Sequence, residues 1–377
     1  MRSTSIYLIA GEVSGDTHGA ELMLALKDAI PGVQLLGTGG PEMRESSGGN
    51  TRDWVEDAAV MGIWEVLKHY SWFKEQFDHM LKEVIEAKPD ALVLIDYPGF
   101  NLRMAKAVRE ALPKTKIIYY ISPQVWAWNK GRIPKMAELL DQMICIFPFE
   151  KSIFEGAGLP TDFVGHPIVD ELIEKKTTVE RDPKLVGLFP GSREREVARL
   201  FPVMLETARR LSGEHPSLRF QAPAASEKLG EQMHLLLDKA KFPNELVKIT
   251  VGDSHALMQN ASCGVIASGT ATLEAAYYGL PYCLIYRIAW PTYFIGKVLI
   301  KVDYIGLVNI LAGKQVVEEF IQGDADPCHI QHALDKFLAD SEFTKKVQTE
   351  LAKTAAKLGE PGCHKRAAES IVKVLAR

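Results

Sequence analysis

The chain has 377 residues, of which 47% are hydrophobic and 24% charged, and its formal net charge is -4. This composition excludes a disordered or collagen-like chain, and the slightly acidic balance gives no sign of a nucleic-acid partner. Its five cysteines show no Cys-x-x-Cys pairing, which fits a reducing cytoplasm and argues against a metal site.

Domain organisation follows from the length and from the order of the predicted elements. Short apolar runs typical of strands alternate with helical patterns, which predicts an α/β fold with parallel sheets covered on both faces. A charged stretch ending in Asp-Pro predicts a hinge at 177–184. We therefore expect an N-terminal domain over 1–176, a C-terminal domain over 177–360 and a short amphipathic helix over 361–377, with the first domain as its candidate docking partner.

Both halves open in the same way, with a strand, a tight turn and a helix: IYLIAGEVSGD in the first and VGLFPGSRERE in the second. This similarity predicts two facing Rossmann-like, doubly wound domains. In such sheets ligands lie at the carboxyl ends of the strands, so the two domains are expected to share one cleft.

The first turn carries acidic residues, which disfavour a phosphate at the start of a helix. We expect Glu12, Ser14, Gly15 and Asp16 to contact hydroxyls or amides of a substrate. The alternative is that Ser14 or Asp16 only caps the helix that follows.

Two later segments, 60–74 and 289–301, combine aromatic and aliphatic residues with few charges. Each predicts an amphipathic element for a lipid interface, or else a helix buried between domains. Met61 in the first is a candidate substrate contact. The longer apolar run that contains the second segment, 275–302, is interrupted by Arg287, Pro291 and Lys297, so it is too short to span a bilayer.

Asp96 ends the apolar run ALVLI and precedes a Tyr-Pro-Gly turn. Apolar surroundings raise the pKa of a carboxyl group, which suits a general base, although an aspartate here also suits a helix cap. Trp126 and Trp128 follow in a stretch predicted to be extended. They share one face there, and either substrate contact or packing explains them.

Two turns of the second half favour phosphate. In LFPGSREREV, the turn of Gly191 and Ser192 precedes a helix, and Arg193 can bind a diphosphate or instead pair with Glu194 or Glu196.

In ASGTATLEAAYYG, residues 267–279, an anion fits over the turn and the following helix start, although the pattern also fits an ordinary capped helix. Glu274, one turn further, suits a ribose hydroxyl. The residues predicted to contact the nucleotide at this turn are Ser268, Gly269, Thr270, Ala271 and Thr272, with Thr270 or Thr272 as the cap.

Other chemistries are disfavoured. The histidines have neither the i, i+4 spacing nor the neighbouring cysteines of a metal site. The sequence also lacks a Gly-x-Ser-x-Gly elbow, a Walker A motif and a complete Gly-x-Gly-x-x-Gly after the first strand, which weakens hydrolase, kinase and dehydrogenase interpretations.

A series of motifs, spread over residues 5–323, resembles the lipid-A-disaccharide synthase family. The motifs are AGEVSGDTHGA, AVMGIWEVL, IDYPGFN, YYISPQVWAW, FPFE, FVGHP, LFPGSREREV, ASGTATLEAA, YRIAWPTYFIGK and VDYIGLVNILAGKQVVEEFIQ.

The resemblance implies an inverting glycosyltransferase of the GT-B type, peripheral on the cytoplasmic face of the inner membrane. Its donor is a 2,3-diacylglucosamine carried by UDP, and its acceptor is 2,3-diacylglucosamine 1-phosphate, joined through the 6-hydroxyl. No metal or other cofactor is expected, and a homodimer is one assembly open to the chain.

The family pattern also implies residue roles. Asp96 falls on the base of its I-D-x-P-x-F-N motif, and Arg193 would stabilise the departing UDP. Asn309, Glu319 and Gln322 would line the donor pocket. Val13 and Lys314-Gln315 depart from the usual pattern, which puts details of that pocket in doubt.

Two alternatives accompany this interpretation. One is a UDP-sugar transferase or 2-epimerase of the same fold that acts on a soluble sugar. The other is a nucleotide-sugar or lipid carrier without chemistry.

Overall fold

A computed structural model describes residues 3–55, 70–243, 246–299 and 302–377. The chain forms two compact units. The first comprises Met1–Pro167 together with Gly359–Arg377, and the second comprises Ile168–Leu358.

The first unit is built around a parallel sheet. Up to the boundary its elements are β1 (Ser5–Ala10), α1 (Val13–Ala29), β2 (Gln34–Gly39), α2 (Pro41–Ser46), β3 (Thr51–Asp53), α3 (Tyr70–Ala87), β4 (Ala91–Ile95), α4 (Pro98–Ala111), β5 (Lys116–Tyr120), α5 (Val125–Trp128), α6 (Ile133–Leu139), β6 (Gln142–Cys145), α7 (Pro148–Glu155) and β7 (Thr161–Phe163). Among the described residues the strand order is β3-β2-β1-β4-β5-β6-β7. Strands β1 and β4 are buried along their whole length, which explains their unbroken apolar runs.

The second unit repeats this plan. Its elements are α8 (Ile168–Glu174), β8 (Asp182–Phe189), α9 (Glu194–Glu214), β9 (Arg219–Ala224), α10 (Glu227–Lys239), β10 (Val247–Val251), α11 (Ser254–Asn260), β11 (Ala261–Ala267), α12 (Ala271–Tyr277), β12 (Tyr282–Tyr286), α13 (Trp290–Leu299), α14 (Leu307–Ala312), β13 (Glu319–Ile321), α15 (Pro327–Ala339) and α16 (Ser341–Ala355). In the described part of the chain, its parallel strands run in the order β10-β9-β8-β11-β12-β13.

Each sheet therefore has one point at which the strand order reverses, between β1 and β4 in the first unit and between β8 and β11 in the second. Helices cover opposite faces of the sheet on either side of such a point, which leaves a crevice at the carboxyl ends of the strands. The α/β class with two Rossmann-like, doubly wound domains is confirmed.

The last helix, α17 (Cys363–Leu375), belongs to the first unit. Ala367, Ile371 and Val374 recur at helical spacing, and they join the buried cluster that contains Leu22 and Leu26 of α1. The amphipathic helix predicted over 361–377 thus completes the first core.

The boundary between the units lies before the hinge predicted at 177–184. Gln259 anchors the charged stretch, because its Oε1 accepts from the Thr177 backbone N–H at 2.6 Å and its Nε2 donates to the Lys175 carbonyl at 3.0 Å. Arg181 donates to the Met258 carbonyl at 2.8 Å. A stretch that is polar enough to resemble a linker is therefore a fixed part of the second unit.

Candidate active site

Asp96 stands directly after β4, at the reversal point of the first sheet, in a constrained backbone conformation. Asp96 and Tyr97 have positive φ angles of 45° and 47°, a region that costs energy for residues other than glycine. The surroundings impose it, because the Asp96 N–H donates to the Tyr120 carbonyl at 3.1 Å and the Asp96 carbonyl accepts from Asn101 Nδ2 at 2.7 Å and from the Tyr119 hydroxyl. The backbone is thus held while the carboxyl group stays partly exposed.

The environment of this carboxyl group raises its affinity for a proton. Burial, and second the negative charge of Glu12, raises the pKa of Asp96 to about 6. The direction of this shift agrees with the increase expected from the apolar sequence context. A group with this pKa is largely ionised at neutral pH and is still basic enough to accept a proton from a hydroxyl.

The turn predicted after β1 is only Gly11 and Glu12, because α1 begins at Val13, and the predicted contact residues differ in exposure. Glu12 and Ser14 are exposed, whereas Gly15 and Asp16 are buried. The Asp16 carboxylate accepts from the backbone N–H groups of Gly40 at 2.7 Å, Glu42 at 3.0 Å and Met43 at 3.0 Å. Asp16 therefore caps α2, a helix other than its own, and its contact with a substrate remains a prediction.

The aromatic stretch after β5 differs from its prediction. It forms the single helical turn α5 rather than an extended segment, so its two tryptophans do not share a face. Trp126 is buried, and its Nε1 donates to Glu150 Oε1 at 3.0 Å. Trp128 is exposed under the guanidinium of Arg132, 5.0 Å from the ring centre.

Glu150 is a residue whose importance the sequence analysis missed. It is buried, and burial raises its pKa to about 7. Besides Trp126, it accepts from the Phe147 backbone N–H at 3.1 Å, as the third residue of α7. The spacing of Phe-Pro-Phe-Glu before a helix is the available signal, and it indicates only the cap. Glu150 thus fixes the orientation of Trp126.

A cavity of about 850 Å³ opens at the reversal point of the second sheet, between the ends of β8 and β11. The predicted residues Ser192, Arg193 and Ser268 line it. Five basic side chains face two carboxylates in its wall, which favours an anionic ligand with more than one charge. The charged lining residues are Arg193, Glu194, Arg195, Glu196, Arg199, Lys228 and Arg287.

Arg193 is both exposed and paired. Its side chain is 81% exposed, and Nη1 lies 3.0 Å from Glu196 Oε1. Gly191 has a φ of 102°, and a Cβ at this position would lie 2.5 Å from Glu196 Oε2, so the turn requires glycine. Ser192 follows as an exposed residue. The ion pair weighed in the sequence analysis exists, and it leaves the guanidinium at the cavity surface.

The Ser-Gly-Thr turn after β11 is built without the predicted side-chain cap. Thr270 occupies the cap position of α12 but makes no capping hydrogen bond, and the Thr272 hydroxyl donates back to the Gly269 carbonyl at 2.7 Å. A Cβ on Gly269 would meet nothing within 4 Å. Ala271 begins α12, which has seven residues. The turn therefore presents an open backbone beside Ser268.

Glu274 lies one turn into α12 and outside the described lining of the cavity. Burial, and second the charge of Glu171, raises its pKa to about 7, while Lys175 opposes the shift. This carboxyl group is therefore affected by α8 of the same unit, and its contact with a ribose remains a prediction.

Asn309, Glu319 and Gln322, which the family pattern places in the donor pocket, are tied to the protein backbone. The Asn309 amide is fully buried and bonds to Val316, Val317 and Glu319. Gln322 and Glu319 bond to the backbone N–H groups of Ile288 and Ile305, which line the cavity. The three side chains are absent from the described lining itself, and their contact with the donor remains a prediction.

The two aromatic segments differ in exposure. Met61 lies outside the described residues, and only residues 70–74 of the first segment are described. Among these, Trp72 and Phe73 pack against a buried cluster of the first unit. In the second segment, Trp290 and Phe294 on α13 are 56% and 60% exposed. Across the described ranges, no helix is both long and apolar enough to cross a membrane.

Comparisons of the sequence with a family model and with known relatives agree on one family. The model of the lipid-A-disaccharide synthetase family matches residues 6–374. The lipid-A-disaccharide synthase of Trichlorobacter lovleyi is 39% identical over 383 residues, covering 99% of this chain and 98% of the relative. That of Geobacter sulfurreducens is 39% identical over 386 residues, covering 100% of this chain and 98% of the relative.

A solved structure supports the architecture. The UDP-GlcNAc 2-epimerase of Neisseria meningitidis, solved with UDP-GlcNAc bound, matches with a TM-score of 0.64 at 12% identity, covering 98% of this chain and 100% of that one. A likeness at this identity shows the fold alone, and it agrees with the predicted GT-B class.

Proposed function

Because the chain belongs to the lipid-A-disaccharide synthase family, and is thus a glycosyltransferase of lipid A biosynthesis, we propose its detailed reaction. It transfers 2,3-diacylglucosamine from UDP to the 6-hydroxyl of 2,3-diacylglucosamine 1-phosphate, inverts the anomeric centre and releases UDP. The observation that carries this proposal is the place of Asp96, a half-buried residue directly after β4 at the reversal point of the first sheet, where burial raises its pKa to about 6.

Asp96 acts as the general base. In an inverting transfer, the acceptor oxygen attacks in one displacement, the bond from the sugar to UDP breaks, and the hydroxyl proton passes to a carboxylate. Glu12 and Ser14, exposed at the start of α1 after the neighbouring strand β1, contact sugar hydroxyls. Trp126, fixed by Glu150, contributes to the shape of this acceptor side.

The second unit binds the UDP moiety. The five basic side chains of its cavity suit a diphosphate, and the Neisseria epimerase of the same fold was solved with UDP-GlcNAc. As UDP departs its negative charge grows, and Arg193 at the cavity surface stabilises that charge. Gly191, Ser192, Ser268, Gly269 and Thr270 supply the turns near the diphosphate, and Glu274 holds the ribose.

A soluble-sugar transferase or a 2-epimerase of this fold is the competing activity. Epimerases share the fold at 12% identity, whereas relatives at 39% identity are named as lipid-A-disaccharide synthases. The family therefore favours an acylated acceptor.

The acylated substrates place the enzyme at a lipid surface, which we propose to be the inner face of the inner membrane. The exposed Trp290 and Phe294 of α13, with Lys297 beside them, provide the contact. Replacing both aromatics with serine should reduce co-sedimentation with vesicles of anionic phospholipid. Leu235→Ser is the matched control, because Leu235 is an exposed apolar residue on α10. Equal loss in the control would contradict a specific contact.

The reaction is tested in detergent micelles with excess EDTA, using the two acylated substrates and following UDP and disaccharide together. One disaccharide per UDP, with a β linkage by NMR, supports the proposal and its independence from metal. Release of UDP without disaccharide would show that the acceptor is wrong. If neither product forms, the soluble-sugar alternative becomes the preferred assignment. Sedimentation velocity of the same preparation tests the proposed homodimer.

A further inference from the structure

Two side chains on and beside the edge strand β13 bond to the backbone at the two ends of the segment between β12 and α14. After β12 the chain passes through the α13 excursion, residues 289–304, before α14 begins. Ile288 precedes this excursion and Ile305 follows it, and both line the basic cavity. The position of the excursion's two ends therefore determines part of the cavity wall.

Gln322 holds the first end. Its Oε1 accepts from the Ile288 N–H at 2.8 Å and its Nε2 donates to the Ile288 carbonyl at 3.1 Å, so one amide satisfies both backbone groups of a single residue. Arg287 Nε donates to the Gln322 carbonyl at 3.1 Å. Gln322 itself has a φ of 54°, which this set of bonds sustains.

Glu319 holds the second end. Its Oε2 accepts from the Ile305 N–H at 2.8 Å, and its Oε1 accepts from the Gly306 N–H at 2.9 Å. Asn309 Nδ2 donates to the same Oε1 at 2.8 Å. A Cβ on Gly306 would lie 2.9 Å from Glu319 Oε1, so glycine permits the close approach.

Gln322 makes two side-chain hydrogen bonds to the protein and Glu319 makes three. A ligand that took the same side-chain atoms would have to replace these bonds, and a buried N–H left without a partner is costly. This arrangement suits residues that act through the backbone they hold and not residues that contact the nucleotide.

We propose that Glu319 and Gln322 are positioning residues for the nucleotide, each fixing one end of the α13 excursion so that Ile288 and Ile305 stay on the cavity wall. The proposal rests on the proposed binding of UDP in this cavity. It assigns to these residues a role in donor affinity that is exerted without contact to the donor.

The test uses the full chain with Gln322→Ala and Glu319→Gln, and Glu318→Gln as the matched control. Glu318 is the adjacent residue, and its carboxylate pairs with Lys336 at 2.9 Å instead of with the excursion. Hydrogen exchange reports on the amides of Ile288, Ile305 and Gly306 without ligand. Calorimetry with UDP and the KM of each substrate report on the site.

We expect faster hydrogen exchange of the backbone amides at the end of the excursion that each variant releases. UDP affinity should fall about tenfold and the donor KM should rise about tenfold. The acceptor KM should stay unchanged, as should all values in the control. A purely structural role would lower kcat through a smaller active fraction and leave the donor KM unchanged.

Unchanged exchange with weaker UDP binding would show direct contact and overturn the positioning role. Faster exchange with unchanged UDP affinity would overturn it as well. If the unaltered chain does not bind UDP, the proposed function fails and the positioning role fails with it.

Discussion

The two units share a strand order but differ in the charge at their reversal points. In the first, Glu12 and Asp96 place carboxyl groups beside the ends of β1 and β4, and burial together with the charge of Glu12 raises the pKa of Asp96. In the second, basic side chains outnumber acidic ones around the ends of β8 and β11. Under the proposed function, one architecture would serve proton transfer in one unit and anion binding in the other, and the difference would be made by a few residues in the loops.

Removing the base should have the largest effect. Asp96→Asn keeps the size of the side chain and abolishes its ability to accept a proton, so kcat should fall by about 10³-fold. UDP affinity, a property of the second unit, should be unchanged by calorimetry. An active Asp96→Asn enzyme would place the base elsewhere, with Glu12 as the next variant to examine.

Removing the exposed guanidinium of the second unit should have the next largest effect. Arg193→Ala should lower kcat/KM for the donor by about 10- to 100-fold, because a charge-assisted contact to departing UDP is lost. Arg210→Ala on the same helix, where Arg210 pairs with Glu206, is the control. If the steady-state rates fall equally in both variants, the specific role of Arg193 is contradicted.

The acidic pair of the first unit predicts a pH dependence. Asp96 must be ionised to accept a proton, so kcat/KM should fall as the pH drops below about 6, the raised pKa of this carboxyl group. Glu12→Gln removes a charge that raises this pKa, and the acid limb should therefore move to lower pH. Glu21→Gln, on an exposed position of α1, should leave the profile in place. If the acid limb does not move in Glu12→Gln, the charge of Glu12 does not affect the pKa of Asp96.

The smallest effect on catalysis is expected for the buried carboxylate of the same turn. Asp16→Asn weakens the cap of α2 and should lower the free energy of unfolding by about 1 kcal/mol, measured by urea denaturation. The acceptor KM should not change, since Asp16 binds backbone N–H groups. A raised acceptor KM at unchanged stability would instead return Asp16 to the substrate site.

The sheets and their reversal points could be predicted because the information is local. Apolar runs such as ALVLI identify buried strands, and a turn after each one locates the edge where ligands bind. Asp96 and Arg193 lie at these turns, so their positions follow from short stretches of sequence. The raised pKa of Asp96 also follows from its apolar flanks.

The sequence did not reveal the polar contacts of side chains whose partners are distant in sequence. Asp16 caps a helix that begins 25 residues later, at Pro41, and Gln259 anchors Thr177 across 82 positions. Gln322 reaches back to Ile288 in the same way. A polar residue near a binding motif looks alike whether it faces a ligand or a backbone N–H, and only the tertiary fold separates the two.

The placement of α17 has a consequence for biosynthesis. Its buried residues Ala367, Ile371 and Val374 complete the core around α1, yet the ribosome makes them after all of Ile168–Leu358. A nascent chain that has finished the first sheet still exposes the apolar groove that this helix later fills. The second unit, which is continuous in sequence, is expected to fold first although it is translated later, and the unit bearing Asp96 matures last.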